Sequence, residues 1–323
     1  MKKFRETEMN RKGVDFTFSW IFAIIAGAVI LFSAIYITSQ LIESGNVKRD
    51  TLVAGELANI LNPIETNLED NRYSVIEFSQ ETRVYNECSI SGPFGVQKLS
   101  TSSKTKGDWT EQSVRKSVYN KYIFSRAIEE TVSDKLHVMV SPLISPFKIG
   151  DVIMIYSGEY CFVNPTTYIQ ELVEDISLDG TKDIGINITR NVNSCPRNYT
   201  KVCFDGRGCD INVNTQLEIV TKSGKDLYYS GDNLLLAAIF SEGEIYECQL
   251  NRLMKRASEL GTLYSKKAVY IEGSGCLNNL VGDLQEFVLV TNISNSKDFA
   301  RGVVPRAKDL ERRNSELASC KIF

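Results

Sequence analysis

The amino-acid sequence predicts an α+β protein. An N-terminal transmembrane helix leads into an extracytoplasmic domain of antiparallel β meanders with helices, and the C-terminal third is helical. Three observations predict this. Residues 16–42 form 27 consecutive positions without a charge. Between about 73 and 229, short apolar and β-branched segments alternate with turn residues. Beyond Ser241 the apolar residues recur at helical spacing.

The core of the uncharged run, residues 18–37, is almost wholly apolar. At about 1.5 Å per residue its helix covers roughly the 30 Å of bilayer hydrocarbon. Lys2, Lys3, Arg5, Arg11 and Lys12 crowd its N-terminal flank, against only Lys48 and Arg49 just beyond it. This bias keeps residues 1–15 as a cytoplasmic tail and sends residues from about 43 outward. Trp20 and Tyr36 lie near the two ends, where amphipathic rings favour the headgroup level. The run exceeds a signal peptide's apolar region, and no A-x-A-like cleavage site follows it, so the helix is expected to stay as an anchor. The expected organisation is a tail over 1–15, a transmembrane helix over 16–42, an amphipathic stalk helix over 43–70 and an outer domain over 71–323. The stalk reading rests on Val53, Leu57, Ile60, Leu61 and Ile64, which share one helix face.

In the outer domain, strands are predicted over 73–78, 82–85, 121–124, 136–140 and 152–156, and a helix over 166–176. Residues 199–204 and 209–213 flank Asp205-Gly206 and read as a hairpin. Strands at 216–220 and 226–229 follow, joined by a Lys-Ser-Gly-Lys turn. Residues 233–240 are too short to span a membrane and read as buried core. Ser241-Glu-Gly-Glu244 has the form of a capping box. Behind it Tyr246, Leu250, Leu253, Ala257, Leu260 and Tyr264 make the strongest helical stripe, expected to pack on a sheet. Helices near 280–290 and after Pro305 complete the chain, and Cys320-Lys-Ile-Phe323 is apolar enough to dock onto the fold.

All eight cysteines (Cys88, Cys161, Cys195, Cys203, Cys209, Cys248, Cys276 and Cys320) fall on the outer side, which suits an oxidising compartment and disulfides. Their pairing stays open, since eight cysteines allow 105 connectivities. No C-x-x-C occurs, which argues against a metal site. The outer part carries 32 basic and 37 acidic residues, a balance that gives no reason to expect nucleic acid.

Chemistry is sparse. His137 is the only histidine and alternates with apolar neighbours on a strand, so multi-histidine metal sites and histidine-based triads lack members. Ser-x-x-Lys occurs at Ser103, Ser113, Ser145 and Ser294 without the S-D-N element of that nucleophile class. Asp179 and Asp183 flank a turn but miss the calcium-loop pattern. No phosphate-binding glycine loop is present, so no catalytic residue, metal ligand or cofactor is expected. Carboxylate pairs of the glycosidase kind meet only in the fold. Sequons at Asn187, Asn198 and Asn292 suit an outer surface.

Two resemblances add to this reading. Arg11-Lys-Gly13 before a long apolar helix resembles an archaeal type IV prepilin signal, which implies processing between Gly13 and Val14 and a helix that assembles into a filament core. The fifth mature position, where pilins carry glutamate, is Phe18. Lys12-Gly-Val-Asp-Phe-Thr-Phe-Ser-Trp-Ile-Phe22, residues 198–210 and residues 245–256 resemble a group of archaeal single-span, membrane-anchored proteins that brings no known activity. The expected partners are the lipid bilayer and protein partners or further copies met through the transmembrane helix. The expected role is a structural or binding one, a pilin-like cell-surface assembly component, with a receptor or solute-binding module as the alternative and a carboxylate-based enzyme behind it.

Overall fold

A computed structural model describes residues 20, 22–38, 72–178, 184–317 and 319–323. The chain divides into two units, residues 1–46 and 47–323. In the first, helix α1 (22–38) is apolar on every face. Phe22, Ile25, Ile30, Phe32 and Ile35 are all more than half exposed, although they point in different directions round the axis. Among the described residues no helix is long and apolar enough to cross a membrane. The remainder of the expected span, the tail with Gly13 and Val14, the stalk 43–70 and the Asp179–Asp183 turn lie outside the described residues.

The second unit is α+β. Its strands are β1 (Arg72–Glu77), β2 (Thr82–Ser89), β3 (Val96–Thr105), β4 (Asp108–Trp109), β5 (Lys116–Val118), β6 (Tyr122–Phe124), β7 (Ile128–Glu130), β8 (Lys135–Ile144), β9 (Lys148–Tyr156) and β10 (Tyr160–Val163). After α2 (Thr167–Leu178) come β11 (Ile186–Thr189), β12 (Thr200–Phe204), β13 (Ile211–Asn214), β14 (Ile219–Lys222) and β15 (Lys225–Tyr228). Helices then take over: α3 (Gly231–Phe240), α4 (Gly243–Gly273), α5 (Val281–Val290), the single turn α6 (Ser296–Asp298) and α7 (Val304–Glu316).

Three sheets form, ordered β1-β8-β9-β6, β4-β3-β2-β7 with β5 alongside β3, and β11-β10-β12-β13-β14-β15. The first is buried on both faces. Leu136, Val138, Val140, Ile153 and Ile155 pack with Ile76, Val84 and Leu99 in a core shared with the second sheet. The alternate residues Met139, Val152, Met154 and Tyr156 join a larger core with α3, α4, α5 and the third sheet. Double burial explains why β9 reads as a continuous apolar run rather than an alternating one. The α4 stripe packs as expected: Tyr246, Leu250, Leu253 and Ala257 are buried, and Leu260 and Tyr264 lie against the same core. Ile322 is fully buried and Phe323 meets Phe147 and Tyr264, so the tail docks.

Antiparallel pairing prevails in the first two sheets and in β13-β14-β15, while β6 pairs parallel to β9, and β10 parallel to both β11 and β12. The expected hairpin at Asp205-Gly206 is absent: β12 and β13 run parallel, with Val202 opposite Ile211. Asp205 sits at φ 53° and its carboxylate accepts from the Thr215 amide at 2.8 Å, while Asp210 accepts from the Lys201 amide at 2.8 Å. The Cys203–Cys209 disulfide closes the short connection. The turn signal was sound, but the chain turns back to start a parallel neighbour.

All eight cysteines are paired: Cys88–Cys248, Cys161–Cys195, Cys203–Cys209 and Cys276–Cys320. The capping box at Ser241 does not form. The Ser241 hydroxyl donates backward to the Ala237 carbonyl, closing α3, and Glu242 precedes α4 with no side-chain cap. The 216–220 strand begins only at Ile219, because Glu218 takes φ 53° in the preceding turn.

Candidate functional site

The third sheet, the β6–β7 loop and the junction between α3 and α4 meet around a cavity of about 580 Å³. Each wall is set by local structure. In the tight β14–β15 turn, Ser223 and Gly224 both have positive φ, at 49° and 75°. This two-residue loop pairs Lys222 directly with Lys225, so their side chains leave the same face of the hairpin.

The two lysines then part. Lys222 runs inward to the end of α3, where its ammonium donates to the carbonyls of Ala238 at 2.5 Å, Ile239 at 3.1 Å and Ser241. Helix α3 has no basic residue in its own last turn, and Lys222 supplies that cation from another element. Burial pushes the Lys222 ammonium down to about 7, against the upward pull of Glu242 and Glu129. Its three carbonyl acceptors match the three protons of the charged form, so its first role is to close the helix. Lys225 instead reaches Glu244 in the first turn of α4 at the exposed mouth, and that hydrogen bond holds the Glu244 carboxyl below its usual range.

The opposite wall is Arg126 and Tyr160. Glu129, with a side chain only 1% exposed, accepts from the Arg126 amide and Nε, both at 3.1 Å, and from Nη2 at 2.7 Å. Ser157 Oγ adds a further donor at 2.9 Å. This hydrogen bonding to Glu129 raises the Arg126 pKa, keeping the guanidinium charged, and it leaves the Nη1 edge without a partner among the described residues. Tyr160 begins β10, with its ring against Tyr156, Phe162 and Phe240. It is 5% exposed, lines the cavity, and its hydroxyl has no hydrogen-bond partner among the described residues. Burial raises its pKa, with Glu129 adding to the rise and Arg126 opposing it. Asp210 and Glu242 complete the charged lining.

Such a site can orient a small polar ligand. No group of three metal-ligating side chains occurs among the described residues. The residues singled out from sequence lie elsewhere. His137 is buried, 2.6 Å from the Tyr73 hydroxyl through Nδ1 and stacked on Tyr156, a satisfied strand histidine. Ser113 Oγ accepts from the Thr101 amide, Lys148 pairs with Asp151 at 3.0 Å, and none of the four Ser-x-x-Lys motifs lines the cavity. The cysteines form disulfides outside it. Arg126 and Tyr160 carry no motif, and the local signals were the Lys-Ser-Gly turn at Lys222, which marks a hairpin, and the Ser241-Glu-Gly-Glu244 pattern around Glu242, which marks a helix start rather than a site.

A second cavity of about 560 Å³ lies between α4 and α5, lined by Val269, Val288 and Leu289 together with Thr262, Ser265, Lys266 and Gln285. Comparison with family models, curated proteins and solved structures gives no match, so the site is read from its own geometry.

Proposed function

We propose that this chain is a membrane-anchored, extracytoplasmic binding protein. The apolar N-terminal helix is the anchor and the α+β unit is a binding head outside the cell membrane. The observation that carries the reading is the pairing of all eight cysteines in four disulfides, a pattern that belongs to oxidising compartments. Helix α1 supports it, since an uncharged helix apolar on all faces calls for lipid or for other helices around it. The cavity supports a binding role, because its polar groups converge on one space of ligand size.

Two treatments of the full chain in its own cells test this reading. Alkaline carbonate extraction should leave the protein in the membrane fraction, and protease added to intact cells should degrade the head. Release into the soluble fraction, or a head protected until lysis, would sink the reading. The second reading, a pilin-like assembly component, is favoured by Arg11-Lys-Gly13 before the apolar run. It requires a mature N-terminus at Val14, which mass spectrometry of the membrane-borne protein reads directly.

A further inference from the structure

The charges of the Arg126–Tyr160 cavity are balanced in number and separated in depth. Arg126, Lys222 and Lys225 line it against Asp210, Glu242 and Glu244. Tyr160 is buried and Lys222 half-buried, whereas the Lys225 and Glu244 side chains at the mouth are 57% and 70% exposed. Lys225 and Glu244 pair with each other and Lys222 is spent on the α3 carbonyls, so an entering ligand meets Arg126 on one side and the carboxylates of Glu242 and Asp210 on the other. A ligand that carries both charges a few bonds apart meets a complement for each.

Two donors of the cavity wall have no partner among the described residues. Glu129 takes the Nε and Nη2 edge of Arg126, whose side chain is 44% exposed, and leaves Nη1, and the Tyr160 hydroxyl is unpartnered on a residue 5% exposed. The Tyr160 hydroxyl itself opens onto the cavity, where a ligand can meet it. Beside it the 31-residue helix α4 starts with no side-chain cap, so the positive end of its dipole also faces the cavity. The mouth acid Glu242 has a backbone bond to the Ser125 carbonyl but makes no ion pair among the described residues. A volume of about 580 Å³ falls within the ordinary range of small-molecule sites.

We propose that this cavity binds a small zwitterionic carboxylate of the free amino-acid class. Its carboxylate lies on the Arg126 Nη1 edge and the Tyr160 hydroxyl near the start of α4, and its ammonium group faces Glu242. The assignment rests on the head being a binding module, and it names the class of ligand. Lys222 takes no direct part, because its protons are spent on the α3 carbonyls.

The test is a calorimetric titration of the full-length chain in detergent micelles with each of the twenty standard amino acids, and with acetate and ethylamine as half-ligands. At least one amino acid should bind saturably, and each half-ligand should bind at least about tenfold more weakly. Tyr160→Phe removes only an unpartnered hydroxyl, so it should keep the ligand-free melting temperature and weaken binding by about tenfold. Glu242→Gln should do the same. The proposal is overturned if no amino acid binds, if either variant binds as tightly as the original chain, or if acetate or ethylamine alone matches the best amino acid. Location is read independently by the protease experiment, so a head that lies outside yet binds nothing is recognised as such.

Discussion

Among the described residues Arg252 is the largest with under 2% exposure, and its surroundings explain how a cation is held there. Its Nε donates to the Phe94 carbonyl at 3.1 Å, and Nη1 donates to the Lys121 carbonyl at 2.9 Å and Gln249 Oε1 at 2.7 Å. The guanidinium also lies 5.0 Å from the Tyr122 ring centre. Gln249 passes the network to Gln97, and Gln97 to Asn86, which bonds Ile123 and Ser125. Burial lowers the Arg252 pKa, yet these acceptors keep the charge paired with dipoles. The network ties α4 to the second sheet, and Gly95 leaves room for it: a Cβ there would lie 2.5 Å from the Ser89 carbonyl and 2.7 Å from Arg252 Cγ. Replacing Arg252 by Met fills similar space but strands the Phe94 and Lys121 carbonyls and Gln249. We expect a loss of about 3 kcal/mol, read from the denaturant midpoint.

Among the elements, α4 organises the head. It packs on the first sheet, the second sheet and α5, and its start borders the cavity. Its crossing with α5 is close because Gly261 has no side chain; a Cβ there would sit 2.8 Å from Val288 Cγ2 and 3.2 Å from Phe287 Cδ1. Gly261→Val should therefore cost about 1–3 kcal/mol through overpacking, with only a small offset from better helix propensity. A melting temperature unchanged by that substitution would contradict the close crossing. Much at this scale was legible in the sequence: the apolar runs of β8 and β9, the α4 stripe and the docked tail all follow from burial and periodicity. Strand β3 was not, because Ser100, Thr101, Ser102 and Ser103 are polar yet buried. Their partners come from afar, as where Gln112 donates to Ser100 and the Ser113 hydroxyl accepts from the Thr101 amide. The parallel β12–β13 pair was missed for a related reason. A turn residue announces a reversal of the chain, not which neighbour the next strand joins. Tyr160 and Lys222 stand 62 positions apart and meet only because β10 and β14 share a sheet, so no local pattern could have joined them.

For the molecule as a whole, disulfides link segments that the core alone must otherwise hold together. Cys88–Cys248 spans 160 residues and fastens α4 to β2, while Cys276–Cys320 fixes the docked tail to the end of α4. Cys161–Cys195 and Cys203–Cys209 gather on one side of the third sheet with Val163 in a small core of their own. This arrangement links the fold to its compartment, because a reducing cytoplasm would keep the same eight residues as thiols. The account stands most directly on the state of those cysteines in the cell. Cells producing the full chain are quenched in acid, denatured and treated with a polyethylene-glycol maleimide before or after reduction, and the added mass is read on a gel. The prediction is no label before reduction and eight labels after it. Eight labels taken up without reduction would contradict an exported, disulfide-held head.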